Sequence, residues 1–378
     1  MGRDHLLVGV SSDDPTTQAG AFDLRYLYLS GGLPDSPCDE CTACSSHEKS
    51  CANGSSGCLW WGCWQSDREP PGAYLRRFLE AAEAGGQIPM ITYYEVLQAS
   101  GAEEGKPEVR AMADPMFLKR FFDDYRLVLE QVGNRLAILH IEPDFWGYAQ
   151  HVNDDPHAID APVPTANPTD CPTEEASIAG LGRCMLAMTR KYAPRAKFGL
   201  HGSPFATRID VVQNRDPHLD LAAHARALAS FLYEAAPGAD LVVIDGTDRD
   251  AGYDLSHGEN TAWDATNETL PTFSQAVAWS RALAEAIGKP TLWWQIPVGN
   301  STLPDEPRAW RDNRVEYFFA HWDEVAAAHS IGVAFGAAEE TQTTPETDGG
   351  LLLFLADEYR AAGGYPLCEG GATMEDLP

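Results

Sequence analysis

Two carboxylates stand two residues apart in Leu139-His140-Ile141-Glu142-Pro143-Asp144-Phe145-Trp146-Gly147, with a histidine before them and a tryptophan after. Read as a strand, this run alternates, so His140, Glu142, Asp144 and Trp146 share one face while Leu139, Ile141 and Phe145 take the other. Packing accounts poorly for such a face, because an unpaired carboxylate is costly to bury. The bland alternative is an arginine partner for one of them. A second acidic string, Val242-Val243-Ile244-Asp245-Gly246-Thr247-Asp248-Arg249-Asp250, follows another apolar run directly. Cleaving a glycosidic bond needs one carboxyl to protonate the leaving oxygen and a second to activate water or attack the sugar from the opposite side. Asp144 as general acid, Glu142 as the neighbour that raises its pKa, and Asp248 or Asp250 as base is the arrangement these strings offer. The competing reading makes Asp248 and Asp250 solvated loop residues partly neutralised by Arg249.

Other apolar runs end in ligand-type residues: Thr92-Tyr93-Tyr94-Glu95, His201-Gly202-Ser203, Trp293-Trp294-Gln295 and Glu339-Glu340-Thr341-Gln342. Aromatic rings offer flat apolar faces to sugar C–H groups, and amide, imidazole and hydroxyl groups bond sugar hydroxyls. The candidate substrate-binding set is therefore Tyr93, Tyr94, Trp146, His201, Trp293, Trp294, Gln295, Glu340 and Gln342. Only one of Tyr93/Tyr94, and one of Trp293/Trp294, can face the same side of its strand. Trp61 joins the set from a cysteine-rich segment that also holds Trp60 and Trp64, as a binding platform or as that segment's own small core.

Other chemistries find no support. No G-x-G-x-x-G or G-x-x-x-x-G-K-[ST] cradle is present, and the turn after the first apolar run, Ser11-Ser12-Asp13-Asp14-Pro15, would repel phosphate. No G-x-S-x-G elbow and no H-E-x-x-H pair occur. No cofactor or metal is expected, although calcium in the acidic loop after Ile244 is conceivable. The formal charge of −29 over 378 residues, without basic runs, disfavours nucleic acid and anionic membranes and suits a neutral ligand. No apolar run is long enough to span a bilayer.

Six of the nine cysteines, Cys38, Cys41, Cys44, Cys51, Cys58 and Cys63, crowd into one segment rich in Gly, Ser and Asn. Such a stretch cannot build a core, so the cysteines read as about three disulfides and as a secreted protein; iron–sulfur or zinc ligation is the rival. Cys184 reads as a buried thiol, and Cys171 and Cys368 as loop residues that could pair.

The elements that must position these residues alternate. Strand-like runs cover Leu6–Ser12, Leu24–Ser30, Ile88–Val96, Leu136–Trp146, Lys197–Ser203, Asp240–Asp245, Thr291–Ile296 and Ile331–Gly336. Helical periodicity falls between them at Ala73–Ala84, Pro115–Val132, Thr173–Tyr192, Leu219–Ala235, Phe273–Ile287 and Arg314–Ala328, and a last helix spans Leu351–Ala361. An N-cap is expected at Pro172-Thr173-Glu174-Glu175 and a stop at Gly288-Lys289-Pro290. Eight strands alternating with helices specify an α/β fold, a (β/α)8 TIM-like barrel in one domain over 1–378, ahead of an open doubly wound sheet. Insertions at Gly31–Pro70, Gln150–Pro172 and Gly246–Pro271 follow strand C-terminal ends, the face where barrel sites are built. The first is the cysteine-rich loop, over 31–70.

The string Ile141-Glu142-Pro143-Asp144 resembles the I-E-P-D motif of glycoside hydrolase family 6, the inverting cellulases and cellobiohydrolases. That resemblance implies a distorted barrel, Asp144 as general acid and Glu142 as its motif neighbour. Asp248-Arg249-Asp250 is similar to the family's D-R-D string, whose second aspartate assists catalysis, although the family carries it before the E-P-D strand. Thr92-Tyr93-Tyr94 and Trp293-Trp294-Gln295 resemble strings in uncharacterised secreted bacterial proteins. Retaining barrel glycosidases place an acid/base after the fourth strand and a nucleophile after the seventh; here the seventh ends in Trp294-Gln295, which favours inversion. The expected partner is a neutral β-glucan such as cellulose, bound by a monomer. The alternative is a cell-surface barrel that binds polysaccharide without cleaving it.

Overall fold

The structure, a computed structural model, describes residues 3–34, 60–63, 70–247, 249–337 and 341–367. Eight parallel strands run in chain order: β1 (Leu7–Val10), β2 (Leu24–Leu29), β3 (Ile88–Tyr93), β4 (Ile138–Ile141), β5 (Lys197–Gly202), β6 (Leu241–Ile244), β7 (Thr291–Ile296) and β8 (Ser330–Phe335). Each pairs with the next, and β8 returns to β1 with Leu7 beside Gly332 and Val10 beside Phe335, so the sheet closes into a (β/α)8 barrel.

The period of two sorts each strand into an inner and an outer set. Leu7, Leu24, Tyr26, Met90, Ile138, Val243, Leu292 and Trp294 fill the barrel. Val8, Leu27, Ile91, Leu139, Val242, Trp293 and Val333 point outward into a larger apolar layer shared with the helices. That layer buries one face of amphipathic helices such as Pro115–Val132 and Phe273–Ile287. The expected stop at Gly288 is present: it takes the left-handed conformation that glycine adopts without cost, and its N–H returns to the Ala284 carbonyl.

Differences from the expected boundaries have local causes. The fourth strand ends at Ile141, and Phe145–Val152 is helical. The helix expected from Thr173 begins after Ser177, whose hydroxyl accepts from the Gly180 N–H. The preceding chain folds back over that first turn, which Gly180 permits, since a Cβ there would lie 1.9 Å from the Glu175 carbonyl oxygen. Arg314–Ala328 is divided into Arg314–Ala320 and Trp322–Ala327. Among the described residues no helix is long and apolar enough to cross a membrane.

Cys184 lies in the core, as expected, but as a disulfide with Cys171 rather than a thiol. Cys63 is also disulfide-bonded; Cys38, Cys41, Cys44, Cys51, Cys58 and Cys368 lie outside the described residues, and so does Trp64. The described end of the cysteine-rich segment is fixed to the barrel by one buried carboxylate. Asp124, on the helix Pro115–Val132, accepts from the indole N–H groups of Trp60 and Trp61 and from the Tyr93 hydroxyl. Burial pushes the Asp124 carboxyl up to about 6, and those three donors hold it down against burial. Replacing Asp124 by Ala strands three buried donors at about 1–3 kcal/mol each. Chemical denaturation is expected to show a loss of at least about 3 kcal/mol; an unchanged midpoint would mean that the carboxylate does not anchor the segment.

Candidate active site

The chain turns sharply where β4 ends. Glu142 and Asp144 on either side of Pro143 both have positive φ, 49° and 64°, a region L-residues enter only when the surroundings impose it. This breaks the alternation that would have set Glu142 beside Asp144. The Glu142 carboxylate turns instead toward the end of β3, where it accepts from the backbone N–H groups of Glu95 (3.0 Å) and Val96 (3.2 Å) at the start of the helix Val96–Ser100. It is buried, and burial pushes its carboxyl up to about 8 although the two backbone bonds pull the other way. Asp144 is left to face solvent, with 29% of its side chain exposed.

Below Asp144 lies a line of imidazoles. His201, near the end of β5, is fully buried with Nε2 3.7 Å from an Asp144 oxygen and 3.3 Å from an Asp245 oxygen. The nearer contact is an ion pair rather than an aligned hydrogen bond. Both oxygens approach one nitrogen, so they are no more than about 7 Å apart. Nδ1 of His201 lies 3.0 Å from Nε2 of His140, whose Nδ1 lies 3.2 Å from the Thr92 hydroxyl. Burial opposes a charge on His201, but the close contact with Asp245 and the charge of Asp144 outweigh it and raise its pKa. For His140 burial and the charge of His201 act together and push the pKa well down. Two proton arrangements satisfy these contacts, with the His201–His140–Thr92 line donating in either direction. The two carboxylates beside Nε2 favour the one in which His201 is an imidazolium that donates to neutral His140, which donates in turn to Thr92.

Asp245 follows β6 in the same register as Val243, which faces the barrel interior. The residue two further on therefore faces the same way, at the barrel mouth. The sequence reading passed over Asp245 for Asp248 and Asp250. Asp248 lies outside the described residues. Asp250 is buried away from the cleft: its two oxygens accept from the N–H groups of Gly299 (3.1 Å) and Thr343 (2.8 Å), and its own N–H donates to Gln342. Burial and the nearby Asp312 push its carboxyl up to about 7. Asp250 and Gln342 thus tie together the loops after β6, β7 and β8, and neither reaches a ligand.

Above the imidazoles opens a cleft of about 770 Å³ walled by Asp144, Asp245, Tyr94, Trp294 and Gln295. Asp144, Tyr94, Trp294 and Gln295, with the underlying His201, are the part of the expected set that the structure brings together; Asp245 is an addition. Trp294 faces inward, making edge contacts to His140 and His201 with ring centres 4.6 and 5.7 Å away. Gln295 has φ 57° and lies where the pairing of β7 with β8 slips.

The other expected aromatics are core. Trp293 packs outward against Trp263 and Phe318, and Tyr93 packs against Phe121 and Tyr125. Trp146 is fully buried on the helix Phe145–Val152 and donates to the Ile141 carbonyl, because the strand that would have exposed it has already ended. Trp61 is buried against Asp124 and presents no platform. Glu340 lies outside the described residues.

Several cleft residues escaped the sequence reading. Tyr28 is inward on β2 by the same alternation as Tyr26, which was legible. Tyr148, Phe205, Asp210 and Tyr253 come from loops and short helices, where no periodicity marks them. Burial is the main cause, and the Asp245 charge a further one, that pushes the Asp210 carboxyl up to about 6, against two backbone bonds from Val212 and Gln213 that lower it.

The fold is shared with solved glycan-cleaving barrels, at identities that speak to fold alone. A modular endo-β-1,4-mannanase from Cellulomonas fimi superposes with a TM-score of 0.50 at 12% identity, covering 99% of this chain and 73% of that one. A β-1,4-D-mannanase from Cryptopygus antarcticus also gives 0.50, at 9% identity over 99% and 95%. The endoglucanase Cel6 from Mycobacterium tuberculosis reaches only 0.32 at 16% identity, and the match spans 61% of this chain and 58% of that one. Membership of family 6 is not shown, and the second aspartate that the resemblance implied, Asp250, lies outside the cleft. No protein-family model and no curated protein sequence matches the chain.

The raised pKa of His201 is open to measurement. The ion pair stabilises the fold below the ordinary histidine value and is lost as pH rises through the higher folded value. Histidine titration by NMR is expected to place the His201 midpoint above about 6.5 and to show it falling in Asp245→Asn. A midpoint at or below the ordinary value would remove the imidazolium from the site.

Proposed function

We propose that the protein is a secreted glycoside hydrolase that cleaves a β-linked glucan backbone of the cellulose type with inversion. The observation that carries this reading is the pair Asp144 and Asp245, which bracket the His201 nitrogen at the floor of an aromatic-walled cleft. Hydrolysis of a glycosidic bond requires two carboxyl groups in this relation, one to give a proton and one to carry negative charge.

The roles divide by contact. Asp245 is nearer the imidazolium and takes the charged role, drawing a proton from the attacking water. Asp144 is farther from the His201 nitrogen, more exposed, and stands in the cleft wall with Tyr94 and Tyr148. It is the group placed to protonate the leaving oxygen. The proton lost from Asp144 is replaced by the one that Asp245 takes from water, so the site regenerates through solvent. The cleft tyrosines offer ring faces to sugars above a floor closed by Trp294, and Gln295 bonds hydroxyls. Inverting carboxyls are about 6.5–9.5 Å apart and retaining ones about 5–5.5 Å; the upper limit of about 7 Å for Asp144 and Asp245 admits both, so inversion rests on the seventh strand. The absence of a carboxylate at the end of β7 favours it. The disulfide-bonded Cys63, Cys171 and Cys184 support an oxidising, extracellular setting.

The test is reducing-sugar release from β-glucans, mannan, xylan, chitin and α-glucans. Hydrolysis of a β-glucan is expected, with Asp144→Asn and Asp245→Asn each lowering kcat by about 10²–10⁴ while leaving oligosaccharide binding measurable. The first product should carry the anomeric configuration opposite to the substrate. Full activity in either variant would remove it from the mechanism, and tight binding without any hydrolysis would make the barrel a polysaccharide-binding protein.

A further inference from the structure

The cleft is lined by six carboxylates, Glu104, Asp144, Asp210, Asp245, Asp254 and Glu259, against one arginine, Arg249, and no lysine among the described lining residues. The chain as a whole carries 56 acidic and 27 basic side chains, so the field outside does not offset the one within. An acidic cleft with low-dielectric walls concentrates cations and raises their encounter rate by about 10–10³.

Acidic residues alone do not make a site, but the end of β7 in the cleft wall adds an independent sign of a ligand. The Trp294 indole N–H is buried with no hydrogen-bond partner, on a residue 3% exposed that lines the cleft. Beside it Gln295 is 5% exposed and lines the cleft, and its side-chain amide makes no hydrogen bond among the described residues. Buried donors are normally paired, so the Trp294 N–H at the cleft wall is left for a bound molecule, and the neighbouring Gln295 amide can join it. The indole can donate to a sugar oxygen, and the amide oxygen can accept from an ammonium or hydroxyl.

We propose that the glycan held here bears free amines: a β-linked glucosamine-rich polymer, bound in preference to the plain glucan of the same backbone. This rests on the reading of the cleft as a glycosidase site and narrows its substrate. A protonated 2-amino group is a strong hydrogen-bond donor and a point charge. It meets the carboxylates of the lining, while neutral hydroxyls gain nothing from the field and uronate, sulfate or phosphate groups are repelled.

The experiment compares glucosamine oligomers, their fully N-acetylated counterparts and cello-oligomers of equal length, at mildly acidic pH and two ionic strengths. At low salt kcat/KM for glucosamine oligomers should exceed that for cello-oligomers by about tenfold or more. The ratio should collapse toward one at ~1 M salt, where the Debye length is about 3 Å. Glu259→Gln should reduce the ratio severalfold. Equal or faster cleavage of cello-oligomers, or a ratio indifferent to salt, would overturn the inference and leave the glycosidase reading standing.

If no oligomer is cleaved, the glycosidase reading fails, and calorimetry with glucosamine oligomers decides the inference by itself: salt-sensitive binding upholds it and no binding overturns it. Calcium chloride titrated into the protein serves as the control for a metal. Heat from calcium without a glucosamine preference would assign the acidic lining to that ion and overturn the inference.

Discussion

An imidazolium shared by two carboxylates is stable in a protein interior only if its other nitrogen is also satisfied, and this condition organises the mouth of the barrel. His201 meets it by donating to His140, and His140 by donating to Thr92, so a line of three inward residues crosses from β5 through β4 to β3. Trp294 closes the line from β7 with its ring edge-on to both imidazoles. A closed barrel supplies these positions because every strand must send alternate residues to its axis. Below this layer the axis is filled by Leu, Ile, Met and Val, and above it begins the cleft.

Strain collects on the same rim. Glu142, Asp144 and Gln295 hold positive φ, at a cost of order 1–3 kcal/mol each for residues other than glycine. The surroundings offset it locally. Glu142 is held by two backbone N–H groups, Asp144 is met by the Ser203 hydroxyl at 3.4 Å and by His201, and Gln295 sits at a slip in the β7–β8 register. The turn at Pro143 separates the two acidic groups that adjoin in sequence. One becomes a buried cap for the end of β3, and the other the exposed acid of the cleft.

Much of this was legible in the sequence because burial on a barrel strand obeys a period of two. The eight strands and the closed α/β fold follow from apolar runs that alternate with helical ones, and the inward histidines follow from the period of two, as does Asp245 once Val243 is taken as inward. The rule stops where a strand stops. Glu142 and Trp146 were assigned to the cleft face on a strand that ends at Ile141, and nothing in the string His140–Trp146 announces its two left-handed residues. Contacts between distant segments were beyond reach for another reason: Asp250 bonds Gln342 across 92 residues, and Trp61 bonds Asp124 across 63. No local pattern tells a buried loop clamp from an active carboxylate, and exposed tryptophans cannot be told from ones whose N–H finds a partner elsewhere in the chain.

The central claim is that Asp245 supplies the charged carboxylate and Asp144 the proton, with His201 between them. Chemical rescue tests it most directly. In Asp245→Ala a small anion such as azide can enter the space left by the carboxylate and attack the sugar in place of the activated water. The account predicts that azide restores turnover to Asp245→Ala and yields a glycosyl azide, while Asp144→Ala stays inactive on substrates whose leaving group needs a proton. Rescue of Asp144→Ala alone, or of neither variant in a folded protein that still binds oligosaccharide, would contradict it.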